Sequence, residues 1–266
     1  MDNRPIGIFD SSSGGLSIWQ SFQTLLPYES SVYVGDHAFA PYSTKTTDYI
    51  RKRACAMIRF LLSKDVKLII VACNTATVAG IDYYRTVFPT IPIIGVVPVI
   101  KTAAEKTKNQ RIGVFSTLYT KKSAYQKKLL QTFASDKHIK EVGSARLVSL
   151  IETKPMHDPT LIAYVKKIVR PFKTYGIDVL VLGCTHFPFV RSHIADTLGD
   201  HVLLLDSGEP VIRHTKDVLE KEHLLCDVHH VPVYQFFTSG NPADVQETWK
   251  RLLGKEIEVH SLDRVQ

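Results

Sequence analysis

Nothing in this 266-residue chain is long and apolar enough to cross a membrane; charged or polar residues break every apolar run well before the 18 or so residues a span requires. The N-terminus, "MDNRPIGIFD", has no basic segment leading into an apolar core and a cleavage site, which points to a cytoplasmic chain. Cysteine is sparse. Four thiols (Cys55, Cys73, Cys184, Cys226) are too few for a disulfide scaffold, and none forms a C-x-x-C pair, so neither a disulfide framework nor a structural zinc site is expected. No nucleic-acid motif and no basic stripe interleaved with aromatics is present. The net charge of +7, from 33 Lys+Arg against 26 Asp+Glu, is spread over short clusters at 51–53, 121–122, 127–128 and 166–167, which reads as solvated surface and argues against a nucleic-acid partner. With 44% apolar and 22% charged residues, the chain has the makeup of an ordinary folded protein.

What is present is a regular alternation. Short apolar runs predict strands at Ile6–Phe9, Val32–Val34, Leu68–Ala72, Ile93–Val97, Ile112–Phe115, Val179–Leu182 and Val202–Leu205. Most are apolar throughout, as in strands buried on both faces of a parallel sheet. Between them the period changes to that of a helix. Ile50, Ala54, Ile58, Leu61 and Leu62 share one face of one segment, and Leu161, Ile162, Val165, Ile168, Val169 and Phe172 share one face of another. Strand and helix in turn define an α/β fold with right-handed parallel connections.

The alternation also repeats. "RPIGIFDS" at 4–11 aligns with "QRIGVFST" at 110–117, and "LIIVACNT" at 68–75 aligns with "VLVLGCTH" at 179–186, in the same order and at nearly the same offset. A duplicated α/β unit explains both matches. Ligands in open α/β sheets bind beyond the carboxyl ends of the strands. That rule puts Asp10, Ser11, Cys73, Asn74 and Thr75 on one binding edge, and Ser116, Thr117, Cys184, Thr185 and His186 on the other. If the halves face each other, Cys73 and Cys184 approach a shared cleft from opposite sides.

Two opposed thiols suggest one reaction. A free thiol has a pKa of about 8.5, close enough to neutrality to give or take a proton. One thiolate removes a proton from a carbon next to a carboxylate; the other thiol returns a proton to the opposite face, and the product is the mirror image. The negative charge that builds up needs oriented donors. The groups beside each cysteine, and the Ser/Gly turn "DSSSGG" at 10–15 ahead of a helix N-terminus, are candidates. Cys55 and Cys226 lack such neighbours and read as structural. The pair His229–His230 has no spaced co-ligands, so no metal site is expected. A single-thiol hydrolase or amidase, with Cys73 or Cys184 as nucleophile and His186 as base, and a non-catalytic anion-binding module are the alternatives from other classes. No lysine sits at a candidate strand end, so pyridoxal phosphate is not indicated.

The segments "GIFDSSSGG", "YVGDHAFAPYS", "ACNTAT", "IGVVP" and "GCTHFP" together resemble the cofactor-independent aspartate/glutamate racemase family, in order and over nearly the whole chain; within it they are most similar to the glutamate racemases, which interconvert L- and D-glutamate for peptidoglycan. The resemblance implies two similar parallel-sheet α/β domains about a pseudo-twofold axis, residues 1–97 with 207–266 and residues 98–206, with the active site in the cleft between them. It implies Cys73 and Cys184 as proton donor and acceptor, Asp10 assisting the first, His186 the second, and Glu152 as a further acid near the second. Asp10, Ser11, Tyr42, Ser43, Asn74, Thr75, Thr185 and His186 would hold glutamate. No cofactor and no metal are implied, and a homodimer is. An aspartate-specific relative is the nearer alternative. Ser12 and Ser43 replace glycines usual in the family, which bears on rate and selectivity more than on reaction class.

Overall fold

The structure, a computed structural model, describes residues 1–262. The chain divides into two compact units, one built from Met1–Val96 and the segment from Gly208 onward, the other from Val97–Ser207.

The first unit runs β1 (Ile6–Asp10), α1 (Leu16–Leu25), β2 (Ser31–Gly35), α2 (Thr47–Ser63), β3 (Leu68–Val71), α3 (Asn74–Val87) and β4 (Ile93–Gly95). The second follows with α4 (Ile100–Lys106), β5 (Arg111–Ser116), α5 (Leu118–Lys122), α6 (Ala124–Phe133), β6 (His138–Gly143), α7 (Arg146–Thr153), α8 (Pro159–Tyr175), β7 (Val179–Gly183), α9 (Arg191–Leu198) and β8 (Leu203–Leu205). The chain then returns to the first unit with α10 (Gly208–Lys221), β9 (Tyr234–Thr238), α11 (Pro242–Leu253) and β10 (His260–Ser261). Among the described residues no helix is long and apolar enough to cross a membrane.

Among the described residues, all strand pairings are parallel. The first sheet has the order β10-β9-β2-β1-β3-β4 and the second β6-β5-β7-β8. The segment β2-β1-β3-β4 thus has the connectivity of the entire second sheet, with "GIFD" matching "GVFS" on the central strands β1 and β5. The fold is two parallel-sheet α/β domains, as the alternation predicts. All seven predicted strands form, within a residue or two of the expected limits. The three that escape the apolar-run criterion have identifiable reasons. Strand β6 ("HIKEVG") lies on a sheet edge with no fully buried residue, β9 ("YQFFT") carries an exposed Gln235, and β10 has two exposed residues.

The helices begin and end where local chemistry requires. Thr46 caps α2 by accepting from the Tyr49 N–H at 3.3 Å. In α8, Asp158 caps the N-terminus, Pro159 occupies the first turn, and Gly176 terminates it at φ 71°, a left-handed position suited to glycine. The core of the first unit includes the aromatic group Trp19, Tyr33, Phe236 and Trp249. In the second, Ile112, Val114, Val179 and Val181 pack on Ile100 and Ala103. Leu62, expected on the core face of α2, is only half-buried, whereas Cys55 is buried there as a small apolar group.

One ion pair lies in the first unit's interior. Lys67 Nζ sits 2.6 Å from Glu29 Oε2, and both side chains are essentially fully buried. The same ammonium donates to the Asp2 carbonyl, and Glu29 Oε1 accepts from the Cys226 N–H. Lys67→Met would strand the carboxylate in the core. The expected loss is ~3–5 kcal/mol of unfolding free energy, measured by denaturant titration; a loss under ~1 kcal/mol would show that water replaces the ammonium.

Candidate active site

The connectivity determines where chemistry can sit in each unit. In the first sheet the chain passes from β1 to β2 on one side and to β3 on the other, so the loops leaving β1 and β3 diverge. The second sheet repeats this at β5 and β7. Such switch points are where open α/β sheets bind ligands. The loops leaving β1 and β3 carry Ser11 and Cys73; those leaving β5 and β7 carry Thr117 and Cys184.

In the first unit, Cys73 is the N-cap residue of α3, and its sulfur accepts from the Ala76 N–H at 3.5 Å. Its Sγ lies 3.4 Å from Ser11 Oγ. Asp10, fully buried, accepts from the Ser12 N–H at 2.7 Å. Burial pushes the Cys73 thiol up to about 12, and the negative charge of Asp10 adds to the rise; donors from Ser11 and Ala76 offset part of it. Cys73 is therefore a neutral thiol at pH 7, a group set to donate a proton. Asn74 and Thr75 open the helix and are buried, but the Asn74 amide nitrogen already donates to the Val96 carbonyl at 3.2 Å. Its oxygen and its second N–H remain for a ligand.

Tyr42 is buried and Ser43 half-buried in a 3-10 turn (Tyr42–Thr44). The Tyr42 hydroxyl donates to Asp36 Oδ2 at 2.6 Å, and Arg53 grips both oxygens of Asp36 at 2.8 and 2.9 Å. Burial, then the charge of Asp36, pushes the Tyr42 phenol well above its ordinary range. Sequence reasoning missed Asp36 and Arg53. The available signal was an acid directly after β2, in "YVGD", where the sheet edge lies. The "DSSSGG" turn has its own support. Ser13 Oγ accepts from Trp249 Nε1 at 2.9 Å and lies 3.1 Å from His37 Nε2. Neither Ser12 nor Ser43 adopts a positive φ, so neither position demands glycine for backbone reasons.

Gly15 is different. A Cβ there would come within 2.8 Å of Asp10 Cβ, 2.9 Å of Tyr33 Oη and 3.0 Å of Ala72 Cβ. Gly15→Ala must displace the ends of β1 and β3 that carry Asp10 and Cys73. We expect ~1–3 kcal/mol lower stability and roughly ten-fold lower turnover, equal to about 1.4 kcal/mol of barrier. Thermal unfolding and steady-state kinetics check this; unchanged turnover would mean that the turn moves without its side chains.

In the second unit, Cys184 and Thr185 follow β7, and His186 precedes a 3-10 turn (Phe187–Val190). His186 Nδ1 lies 3.9 Å from Cys184 Sγ, and Nε2 lies 2.7 Å from Glu152 Oε1 on α7. The imidazole is buried, which alone would lower its pKa. Hydrogen bonds to Cys184 and Glu152, and the charge of Glu152, outweigh that and raise it well above the ordinary value. His186 is then an imidazolium at neutral pH, with positive charge facing the Cys184 sulfur. The two units thus place their cysteines alike but surround them with opposite charge. The carboxylate of Asp10 acts on Cys73, and the His186 imidazolium acts on Cys184.

The Cys226 sulfur donates to the Tyr28 carbonyl at 3.2 Å, and His229 and His230 lie in a loop where His230 bonds Ser30. Among the described residues no cluster of His, Cys, Asp and Glu is arranged to hold a metal.

Two α/β units with matched strand-end thiols are the features of a known enzyme class. Residues 7–215 match the Asp/Glu/Hydantoin racemase family, and the chain belongs to it. It is an amino-acid racemase, an isomerase. Among its relatives is the glutamate racemase of Pseudomonas paraeruginosa, 36% identical over 262 residues, or 98% of each chain. Among solved structures, a glutamate racemase isoform from Bacillus anthracis has a TM-score of 0.91 at 30% identity, covering 99% of this chain and 98% of that one. The Francisella tularensis glutamate racemase, solved with D-glutamate, has a TM-score of 0.87 at 29% identity, covering 100% and 99%.

Proposed function

We propose that the chain interconverts L- and D-glutamate by cofactor-independent proton transfer between two thiols, and that this supplies D-glutamate for peptidoglycan. The observation that carries the reading is the pair of cysteines at equivalent positions of two sheets, with opposite charge beside them. One thiol acts on each face of the substrate α-carbon. Cys184, as thiolate stabilised by the His186 imidazolium, removes the α-proton. The carbanion is planar, and its charge spreads into the carboxylate. Cys73, held as a thiol by burial and Asp10, delivers a proton to the opposite face. The reverse reaction exchanges the roles. Glu152 keeps His186 charged and oriented. Ser11, Tyr42, Ser43, Asn74, Thr75 and Thr185 hold the amino and carboxylate groups of the substrate, and the structural anchoring of Tyr42 by Asp36 and Arg53 keeps it in register. Glutamate as substrate is supported by the named relatives, one of which binds D-glutamate. A cytoplasmic homodimer belongs to the same proposal and rests on the family resemblance.

The test is the fate of pure D-glutamate in heavy water with no added cofactor. Decay of optical rotation together with deuterium at the α-carbon supports two-base racemisation. Inertness toward glutamate with turnover of aspartate would move the substrate assignment. A second reading has one observation behind it: Cys184, His186 and Glu152 form the chain of contacts found in thiol hydrolases. It requires a covalent acyl-enzyme on Cys184 and leaves Cys73 without a role; mass spectrometry of the trapped enzyme decides.

A further inference from the structure

The basic residues look scattered in the sequence, but the second unit gathers several of them. Helix α8 has no Asp or Glu; its charged residues are Lys166, Lys167, Arg170 and Lys173. Lys173 lies in the last turn, where a cation complements the helix C-terminus, and it donates to the Thr197 carbonyl at 3.0 Å. Lys167 and Arg170 lie earlier and have no such assignment. With Pro171 and Thr174 they follow the i, i+3, i+4, i+7 spacing of one helix face. That face, with Tyr175 and with Lys140 of β6, lines a concavity of about 410 Å³, within the range of small-molecule sites.

The concavity has a fixed floor. Arg111 Nη1 donates to the Tyr175 carbonyl at 3.1 Å, and its guanidinium lies 5.9 Å from the Tyr175 ring. Lys140 Nζ lies 5.7 Å from the same ring, within reach of a cation–π attraction that orders both groups. Beneath, Phe172 is fully buried against Phe115. Among the described residues, no carboxylate lines the concavity, and the side chains of Lys140, Lys167 and Arg170 enter no ion pair. Arg111 is the first residue of β5 and Ser116 the last, so Tyr175 marks the opposite edge of the sheet from Cys184.

We propose that this concavity is a binding site for a small phosphorylated anion carrying two or more phosphates. Three cations line this one concavity, more than one carboxylate can engage. The guanidinium fork of Arg170 suits two oxygens of one phosphate, the two lysines suit a second, and the Tyr175 hydroxyl can donate to either. The proposal is independent of the racemase reading.

The test is calorimetric titration of inorganic triphosphate, pyrophosphate and orthophosphate into the full chain at about 0.15 M salt, where weak surface attraction is screened. Saturable one-site binding is expected, strengthening from ortho- to triphosphate. Arg170→Glu and Lys140→Glu should each weaken triphosphate at least ten-fold. Lys52→Glu, an exposed cation on α2, should change it less than two-fold. Arg170→Gln stands in if the glutamate variant fails to fold by circular dichroism. No saturable binding, or an equal loss in the Lys52 control, overturns the proposal. A single-stranded RNA oligonucleotide that binds the same residues more tightly than triphosphate also overturns it, in favour of an extended polyanion.

Discussion

Cys73→Ala and Cys184→Ala are each expected to lower racemisation by about a thousand-fold or more, the upper part of the range for removing a general acid or base, equal to about 4 kcal/mol of barrier. Loss of activity alone would not separate a two-thiol mechanism from a one-thiol one, so the informative measurement is isotope exchange. With one thiol gone, the other can still remove and return a proton on its own face. Each variant should then exchange the α-proton of one enantiomer with solvent without inverting it, and the two variants should prefer opposite enantiomers. Proton NMR of L- and D-glutamate in heavy water reads both. Exchange of the same enantiomer by both variants would mean that the thiols do not serve opposite faces. Wild-type racemisation by both variants would end the proposal.

That expectation comes mostly from residues whose significance was legible before any coordinates. Strands buried on both faces announce themselves as unbroken apolar runs, so β1, β3, β5 and β7 and the residues at their ends could be placed by pattern alone. The repeat gave the shared connectivity, because the two central strands must be alike to accept like neighbours. Strands β6 and β9 were not legible, since edge and half-exposed positions tolerate Lys140, Glu141 and Gln235. Asp36 and Arg53 were not legible for a different reason. Their pairing joins a strand end to the middle of α2, and periodicity within one element cannot report a contact between two. Asn74 was legible as a site residue, but its amide is half-committed to Val96, which only the fold reveals. The cation cluster at α8 is not legible, because Lys140 is distant in sequence and reaches it only through the packing of α8 on β6.

The second large effect concerns charge beside Cys184, and its sign can be worked out. His186 has a folded-state pKa well above its ordinary value, which is about 6.5 in an unfolded chain. Its protonation therefore contributes stability that is fully present below about pH 6.5 and is lost as pH rises through the folded pKa. Unfolding free energy should fall across that alkaline window in the wild type, and His186→Asn should remove this component. Catalysis should follow the same proton. An imidazolium stabilises negative charge on the Cys184 sulfur, and neutral imidazole or asparagine does so far less. His186→Asn is expected to lower turnover at least a hundred-fold, with the larger loss in the direction that uses Cys184 as base. Glu152→Gln keeps the hydrogen-bonding shape but removes the charge that helps raise the His186 pKa. Its effect at pH 7 should be smaller, roughly ten-fold, equal to about 1.4 kcal/mol, and the alkaline limb of its pH–rate profile should move to lower pH. A structural role for Glu152 alone would lower the rate without moving that limb. If the limb stays in place, the charge on His186 does not govern the second thiol, and the asymmetry between the two cysteines must come from Cys73 and Asp10.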